Sequence, residues 1–138
     1  VIYLDAAEEK YIEEVGAANF FAIYGNKLIT PKLTGSILPG ITRDSILFLA
    51  ENKLGMEIEE RKISIEEALK ADEVFCAGTA AIISPIGSIK YQNKEYEFSE
   101  SNVGIITRQL YEILTGIQFG ETEDEYGWIT KLWMIKSL

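Results

Sequence analysis

Short apolar runs and alternating apolar and polar positions dominate the first part of the chain, and this pattern is typical of β-strands. The run Asn-Phe-Phe-Ala-Ile-Tyr at residues 19–24 predicts a buried strand. Gly25-Asn26 predicts the turn of a hairpin that returns over residues 27–30. Segments of similar character predict further strands at 1–4, 11–15, 57–59, 73–77, 81–86, 88–91 and 95–98.

Helical spacing of apolar residues appears in two longer segments. Residues 43–54 form the first predicted helix, and a helix of about 14 residues beginning near Val103 is the second. Ser64 and Glu67 match a capping box, which predicts a short helix ending near Ala71. About three helices among several hairpins indicate an α/β protein of the mixed α+β kind, with a mixed sheet rather than strict βαβ units.

Length and charge narrow the possible functions. A chain of 138 residues is long enough for one domain with a core of its own. The net charge of −9 argues against nucleic acid or an anionic membrane surface as the main partner. No apolar run approaches the ~18 residues that a membrane-spanning helix needs. We therefore expect a cytoplasmic protein whose partners are small molecules.

The chain contains a single cysteine, Cys76, and no histidine. A disulfide within the chain and a cysteine-based metal site are excluded, and so are the Ser-His and Cys-His pairs of nucleophilic enzymes. Without histidine the usual zinc ligands are also missing, and no metal site is predicted. Cys76 lies in an apolar segment, so we expect it to belong to the core.

The sequence Leu-Pro-Gly-Ile-Thr-Arg-Asp at 38–44 opens the first predicted helix. Pro39 prevents a continuous helix across this point, and Gly40 allows a tight turn or a close approach to a ligand. The N-terminus of the following helix presents unpaired N–H groups that favour a phosphate. An ordinary loop leading into a core helix explains the same residues.

Two other places are candidates for anion or ligand binding. The turn Gly78-Thr79-Ala80 lies between two apolar strands, and its small residues expose backbone N–H groups that could hold a phosphate or carboxylate. A tight turn chosen for packing is the alternative. Alternation would put Glu14 on the apolar face shared with Ile12, where a carboxylate needs a partner. A satisfied or edge-exposed glutamate is the alternative there.

Four motifs in this order resemble the C-terminal domain of the branched-chain amino-acid aminotransferases, which are class IV, fold-type-IV enzymes that use pyridoxal 5'-phosphate. They are Glu-Glu-Val-Gly-Ala-Ala-Asn at 13–19, Leu-Pro-Gly-Ile-Thr-Arg at 38–43, Gly-Thr-Ala-Ala at 78–81 and Gly-Glu-Thr-Glu-Asp-Glu-Tyr-Gly-Trp at 120–128. The resemblance covers residues 1–130 and leaves 131–138 as a tail. It implies the pseudo-barrel domain of that family, truncated at its N-terminal edge.

The resemblance also implies a role for each motif. Glu14 would pair with the pyridine nitrogen of the cofactor and keep it protonated, while Thr42 and Thr79 would contact the phosphate. Cofactor contacts are implied for Glu14, Leu38, Gly40, Ile41, Thr42, Gly78 and Thr79, and substrate-carboxylate contacts for Ala80 and Ala81.

One departure from the family pattern concerns catalysis. The family's Schiff-base lysine lies upstream of the segment that matches residues 1–4, and none of the lysines in this chain occupies its motif. The chain also begins inside a predicted strand without a methionine, so we expect a fragment of a longer protein. We expect the isolated chain to bind the cofactor weakly or not at all and to be inactive alone.

The leading hypothesis is therefore a transaminase domain whose parent exchanges amino groups between branched-chain L-amino acids and 2-oxoglutarate. A D-amino-acid aminotransferase or an aminodeoxychorismate lyase of the same superfamily is the first alternative. A non-catalytic small-ligand or interaction domain is the second. The family resemblance also implies that the parent is a homodimer or a larger oligomer.

Overall fold

The computed structural model describes residues 1–80, 82–99 and 103–130, and the fold in these ranges is mixed α+β. Strands come first, and the two longer helices lie near the middle and the end of the described chain. The strands are β1 (Ile2–Leu4), β2 (Ile12–Val15), β3 (Ala18–Tyr24), β4 (Lys27–Thr30), β5 (Glu57–Glu60), β6 (Glu73–Gly78), β7 (Ile82–Pro85), β8 (Ser88–Tyr91) and β9 (Lys94–Glu97). The helices are α1 (Ile41–Asn52), α2 (Ile65–Ala68) and α3 (Ile105–Gln118).

Strand β3 is the centre of the main sheet. On one side it pairs with β2 and then β4, and these lead outward to β1 and β5. On the other side it pairs with β6, which pairs with β7. Only β4 and β5 run parallel among these neighbours, so the sheet is mixed, and β8 and β9 form a separate hairpin. The predicted mixed sheet with hairpins is confirmed.

The core lies on both faces of β3 because neighbouring residues of a strand point to opposite sides. Phe21 belongs to a cluster that includes buried side chains of α1 and α3, and its ring stacks on Phe75 at 4.7 Å between centroids. Phe20 belongs to a second cluster, which contains Ile12 of β2 and Ile89 of β8. Helices α1 and α3 therefore cover one face of the sheet, while the β8–β9 hairpin contributes to the other.

The observed helix bounds differ from the predicted ones by a few residues. Helix α1 runs from Ile41 to Asn52 rather than from residue 43 to residue 54, a shift of two residues at each end, where helix boundaries are least sharply defined. Helix α2 ends at Ala68, before residue 71, although Ser64 caps it as predicted by accepting a hydrogen bond from the Glu67 N–H at 3.1 Å. Residues 81, 100–102 and 131–138 lie outside the described ranges.

The run of acidic residues that follows α3 predicts a solvated loop. Glu121, Glu123 and Glu125 are indeed exposed. Two aromatic residues nevertheless anchor the segment, because the rings of Tyr126 and Trp128 pack against Phe48 of α1 at 4.8 and 5.6 Å between centroids. No helix in the described ranges is long and apolar enough to cross a membrane.

Candidate cofactor and substrate site

Glu14, Asn19 and Ala77 form a row across three neighbouring strands. Glu14 of β2 is the register partner of Asn19 of β3, and Asn19 is in turn the partner of Ala77 of β6. Adjacent strands lie roughly 4.8 Å apart, so the row spans roughly 10 Å. Gly78 follows Ala77 directly, and the row therefore connects the predicted glutamate with the Gly-Thr-Ala turn.

The Pro-Gly loop is fastened to this row at Leu38. The N–H of Leu38 donates to Glu14 Oε1 at 2.8 Å, and Asn19 Nδ2 donates to the carbonyl oxygen of Leu38 at 2.9 Å. Gly40 lies against the Asn19 side chain as well. Three predicted cofactor residues, Glu14, Leu38 and Gly40, are therefore brought together.

The N-terminus of α1 has no side-chain cap. Gly40 occupies the N-cap position, and its carbonyl accepts from the N–H of Asp44. Among the described residues, the N–H groups of Ile41 and Thr42 donate no hydrogen bond. The Ile41 side chain is 86% exposed, so solvent reaches this end of the helix. Two backbone donors and the positive end of a helix are thus available to an anion.

The turn after β6 is also open to solvent. Thr79 and Ala80 are exposed, and a shallow cavity of about 350 Å³ lies beside them, lined in part by Ala18 and Cys76. Neither Glu14 nor Thr42 lines that cavity, and no hydrogen bond joins Thr42 to Thr79. The structure thus puts Gly78 and Thr79 next to the row of Glu14, and the cavity beside them does not extend to the N-terminus of α1. The predicted substrate contact at Ala81 lies outside the described residues.

Cys76 is only half-buried, where a core position was expected. It lies on β6 opposite Phe20 and Ser84, at the edge of the shallow cavity. Burial raises the pKa of the Cys76 thiol, so the protonated and poorly nucleophilic form is favoured at neutral pH.

A bulge in β2 changes the predicted orientation of Glu14. Tyr3 pairs with Glu14 but Leu4 pairs with Ile12, so the register shifts at Glu13. Ile12 packs in the cluster of Phe20, whereas Glu14 lies opposite Asn19. The prediction that Ile12 and Glu14 share a face is wrong, because simple alternation does not hold across a bulge.

Sequence reasoning overlooked two residues of this region. Asn19 is 6% exposed and contacts the Pro-Gly loop, as described above. Arg43 is 1% exposed in the first turn of α1, where its guanidinium donates to the Pro31 carbonyl at 3.2 Å and to Glu60 at 2.7 Å. Both belong to the quoted motifs, but a motif does not reveal which of its polar side chains is buried.

Comparisons with known proteins agree with this architecture. A family model described as amino-transferase class IV matches residues 1–89. The chain is 52% identical to a probable branched-chain-amino-acid aminotransferase of Staphylococcus epidermidis, over 93% of this chain and 37% of that protein. It is 46% identical to a chloroplastic branched-chain amino acid aminotransferase 2 of Humulus lupulus, over 96% of this chain and 32% of that protein.

Solved structures give the same result. A crystal structure of the branched-chain amino acid aminotransferase of Escherichia coli superposes with a TM-score of 0.83 at 39% identity. The match covers 94% of this chain and 40% of that one. The present chain therefore spans about a third to two fifths of the length of these relatives. The resemblance drawn from the motifs is confirmed, and so is the mixed α+β architecture of the fold-type-IV aminotransferases.

Proposed function

Because the chain belongs to the class IV aminotransferase family, we propose that residues 1–130 are the C-terminal, cofactor-binding domain of a pyridoxal-phosphate-dependent transaminase. The whole protein would move amino groups between branched-chain L-amino acids and 2-oxoglutarate. The names of the relatives, which are branched-chain amino acid aminotransferases, support the first of these two substrates. One observation carries the proposal. The uncapped N-terminus of α1 and the carboxylate of Glu14 are joined through a single residue, Leu38.

The chemistry of the donor groups fits a phosphate. The N–H groups of Ile41 and Thr42 are available, and the hydroxyl of Thr42 lies on the same helical turn. A dianionic phosphate at a helix N-terminus gains from both the hydrogen bonds and the helix dipole. Gly78 and Thr79 would add contacts from the neighbouring strand end. Ala80 and Ala81 would offer backbone N–H groups to the carboxylate of an amino-acid substrate.

Glu14 has the chemistry to hold a proton at a ring nitrogen. Its Oε1 accepts the hydrogen bond from Leu38, while among the described residues Oε2 accepts none. A carboxylate held in this way can accept a charge-assisted hydrogen bond from a protonated pyridine nitrogen. The cofactor, when bound, supplies an electron sink for the substrate Cα, and a protonated ring nitrogen strengthens that sink. Glu14 thus stabilises charge and does not itself remove the Cα proton.

The remaining parts of the proposal concern the whole protein. We propose that it works in the cytoplasm as a homodimer or larger oligomer. None of the lysines in this chain occupies the family's lysine motif, so we expect the 138-residue chain to show no turnover of leucine with 2-oxoglutarate.

Binding of pyridoxal 5'-phosphate to the chain tests the site directly. Amide NMR spectra would be recorded during titration with pyridoxal 5'-phosphate and, as a matched control, with pyridoxal, which lacks the phosphate. We expect the phosphate-bearing ligand to bind at least about tenfold more tightly, or about 1.4 kcal/mol. The largest shifts are expected at Ile41, Thr42 and Thr79. Equal affinity for both ligands, or shifts confined to other residues, would contradict the proposed site.

A further inference from the structure

We propose that Asn19 is a positioning residue. It holds the Pro-Gly loop against the sheet and thereby fixes the position of the N-terminus of α1 relative to Glu14. The inference rests on the proposed function, because it concerns how the two halves of that binding site are aligned. Asn19 itself need not touch cofactor or substrate.

The position of Asn19 suits this task. It lies on the central strand β3, between Glu14 on one side and Ala77 on the other, and it is 6% exposed. A buried amide needs hydrogen-bond partners, and Asn19 Nδ2 finds one in the Leu38 carbonyl oxygen at 2.9 Å. The bond links residues that are 19 positions apart in the chain. It therefore fixes tertiary structure and not a local turn.

Leu38 transmits the constraint to both halves of the site. Its N–H is held by Glu14, and its carbonyl oxygen accepts from Asn19 and also from the N–H of Gly40 at 2.9 Å. Rotation of the peptide group before Leu38 would break the bond to Glu14, and rotation of the peptide group after it would break the bond from Asn19. The carboxylate of Glu14 and the first residues of α1 thus depend on the same anchored residue.

Asn19 also explains why position 40 is a glycine. The backbone of Gly40 has φ −68° and ψ 139°, which any residue adopts easily. A Cβ at this position, however, would lie 2.6 Å from Asn19 Oδ1. The buried side chain of Asn19 occupies that space, so the requirement for glycine comes from close packing and not from backbone conformation.

A pair of variants in the 138-residue chain separates positioning from general stability. Asn19→Ala removes the tether to Leu38. Thr30→Val is the matched control, because Thr30 is fully buried in the same sheet and its hydroxyl donates to the Phe20 carbonyl at 2.7 Å, away from the loop. The melting temperature of each variant measures its loss of stability. Changes at the site can then be compared between Asn19→Ala and Thr30→Val when both have lost a similar amount of stability.

Two readouts are expected to distinguish the variants. In Asn19→Ala, hydrogen exchange at the amides of Leu38 and Gly40 should accelerate about tenfold or more, corresponding to loss of about one hydrogen bond. Affinity for pyridoxal 5'-phosphate should fall about tenfold. Thr30→Val should leave the exchange of both amides and the affinity within about twofold of the parent chain. Equal effects of the two variants would overturn the inference.

A double-mutant cycle tests the packing of Asn19 against Gly40 without any ligand. Gly40→Ala should accelerate loop exchange in the parent chain, since the new methyl group meets Asn19 Oδ1. In the Asn19→Ala background the same change should add little, so the two effects should not sum. Asn19→Asp retains an oxygen near Gly40 but loses the Nδ2 donor, and in that background Gly40→Ala should remain harmful. Additive effects in the Asn19→Ala cycle would overturn the inference.

The outcomes also separate this inference from the proposed function. If the unsubstituted 138-residue chain binds pyridoxal 5'-phosphate no more tightly than pyridoxal, or shifts only residues elsewhere, the proposed function fails, and so does the alignment role that rests on it. The exchange data and the cycle still decide whether Asn19 fastens the loop. If the parent chain binds the ligand but Asn19→Ala matches Thr30→Val in every readout, only the positioning role fails.

Discussion

Glu13 and Glu14 are adjacent carboxylates that hold the same loop by different contacts. Glu13 Oε1 accepts from the Ser36 hydroxyl at 2.8 Å, and Glu14 Oε1 accepts from the Leu38 N–H at 2.8 Å. We predict that Glu14→Gln keeps the Leu38 bond, so the free energy of unfolding should change by less than about 0.5 kcal/mol. Affinity for pyridoxal 5'-phosphate should nevertheless fall about tenfold, because a charge-assisted hydrogen bond is lost.

The neighbouring carboxylate is the control for this prediction. Glu13→Gln retains an acceptor for Ser36 and should leave ligand affinity unchanged, as measured by the same NMR titration. A ligand analogue with carbon in place of the ring nitrogen should bind Glu14→Gln and the parent chain equally well. Equal losses of affinity in Glu13→Gln and Glu14→Gln would contradict the assignment of Glu14 to the ring nitrogen.

Glu73 and Gly104 form a second buried contact, which no local sequence pattern predicts. The Glu73 carboxylate accepts from the N–H of Ile106 at 3.2 Å and from the N–H and hydroxyl of Thr107 at 2.8 Å each, so β6 caps α3. A Cβ at Gly104 would lie 1.9 Å from Glu73 Oε1. We predict that Gly104→Ala displaces this cap and lowers the free energy of unfolding by about 2–4 kcal/mol.

Urea denaturation measures the effect, with Gly87→Ala as the control. Among the described residues other than its chain neighbours, none has a heavy atom within 4 Å of a Cβ placed at Gly87, so that variant should differ from the unsubstituted chain by less than about 0.5 kcal/mol. A loss in Gly104→Ala as small as in Gly87→Ala would show that α3 does not depend on the carboxylate from β6.

These residues mark the limit of prediction from sequence. Glu14 could be proposed because a carboxylate in an apolar strand is unusual, although the bulge at Glu13 reversed its expected face. The roles of Asn19 and Glu73 could not be predicted, because their hydrogen-bond partners lie 19 and 34 positions away along the chain. Hydrophobic periodicity records which face of an element is buried, but not which distant backbone group a buried polar side chain meets.

At the scale of elements, hydrophobic periodicity correctly predicted the segments that bury a continuous apolar face. The strands and both longer helices were predicted, since apolar faces against a common core leave a strong signal. The segment after α3 was less predictable. Its acidic residues are exposed as expected, but the packing of Tyr126 and Trp128 on α1 depends on tertiary contact with Phe48.

Two turns are organised by aspartates whose carboxylates accept backbone hydrogen bonds. Tyr11 N–H, followed by Lys10 N–H, holds the pKa of Asp5 below its ordinary value, and Asp5 Oδ1 lies 2.8 Å from the Tyr11 nitrogen. Backbone N–H groups of Trp128 and Ile129 lower the pKa of Asp124 in the same way. A lowered pKa in the folded state means that the carboxylate's contribution to stability is complete above the ordinary pKa and is lost as pH falls through the folded-state value.

We predict that the amide proton shifts of Tyr11 and Ile129 change on acidification with midpoints below the ordinary aspartate pKa of 3.8. Each turn serves as the control for the other. Asp5→Asn should abolish the transition at Tyr11 and leave that at Ile129 intact, as followed by NMR between about pH 6 and pH 2. A transition at Tyr11 that survives in Asp5→Asn would assign it to another group.

For the whole molecule, exposed apolar side chains and net charge have opposite effects on self-association. Tyr3, Leu38 and Ile41 are 53%, 65% and 86% exposed. Tyr3 and Leu38 flank Glu14, since Tyr3 is its register partner and Leu38 its hydrogen-bond donor, and Ile41 follows Leu38 along the chain at the start of α1. Clustered exposed apolar side chains favour association with another apolar surface. A net charge of −9 on each copy opposes association of identical chains.

Salt should therefore shift the balance toward self-association. The screening length falls from about 30 Å at 0.01 M salt to about 3 Å at 1 M, which removes most of the repulsion and leaves the apolar attraction. We predict that sedimentation velocity shows a monomer at low salt and a rising fraction of larger species as salt increases. Ile41→Ser should suppress that rise, whereas Phe119→Ser, which changes an exposed residue at the end of α3, should not. Association that weakens with salt would mean that charge pairing, and not the apolar surface around Glu14, joins the copies.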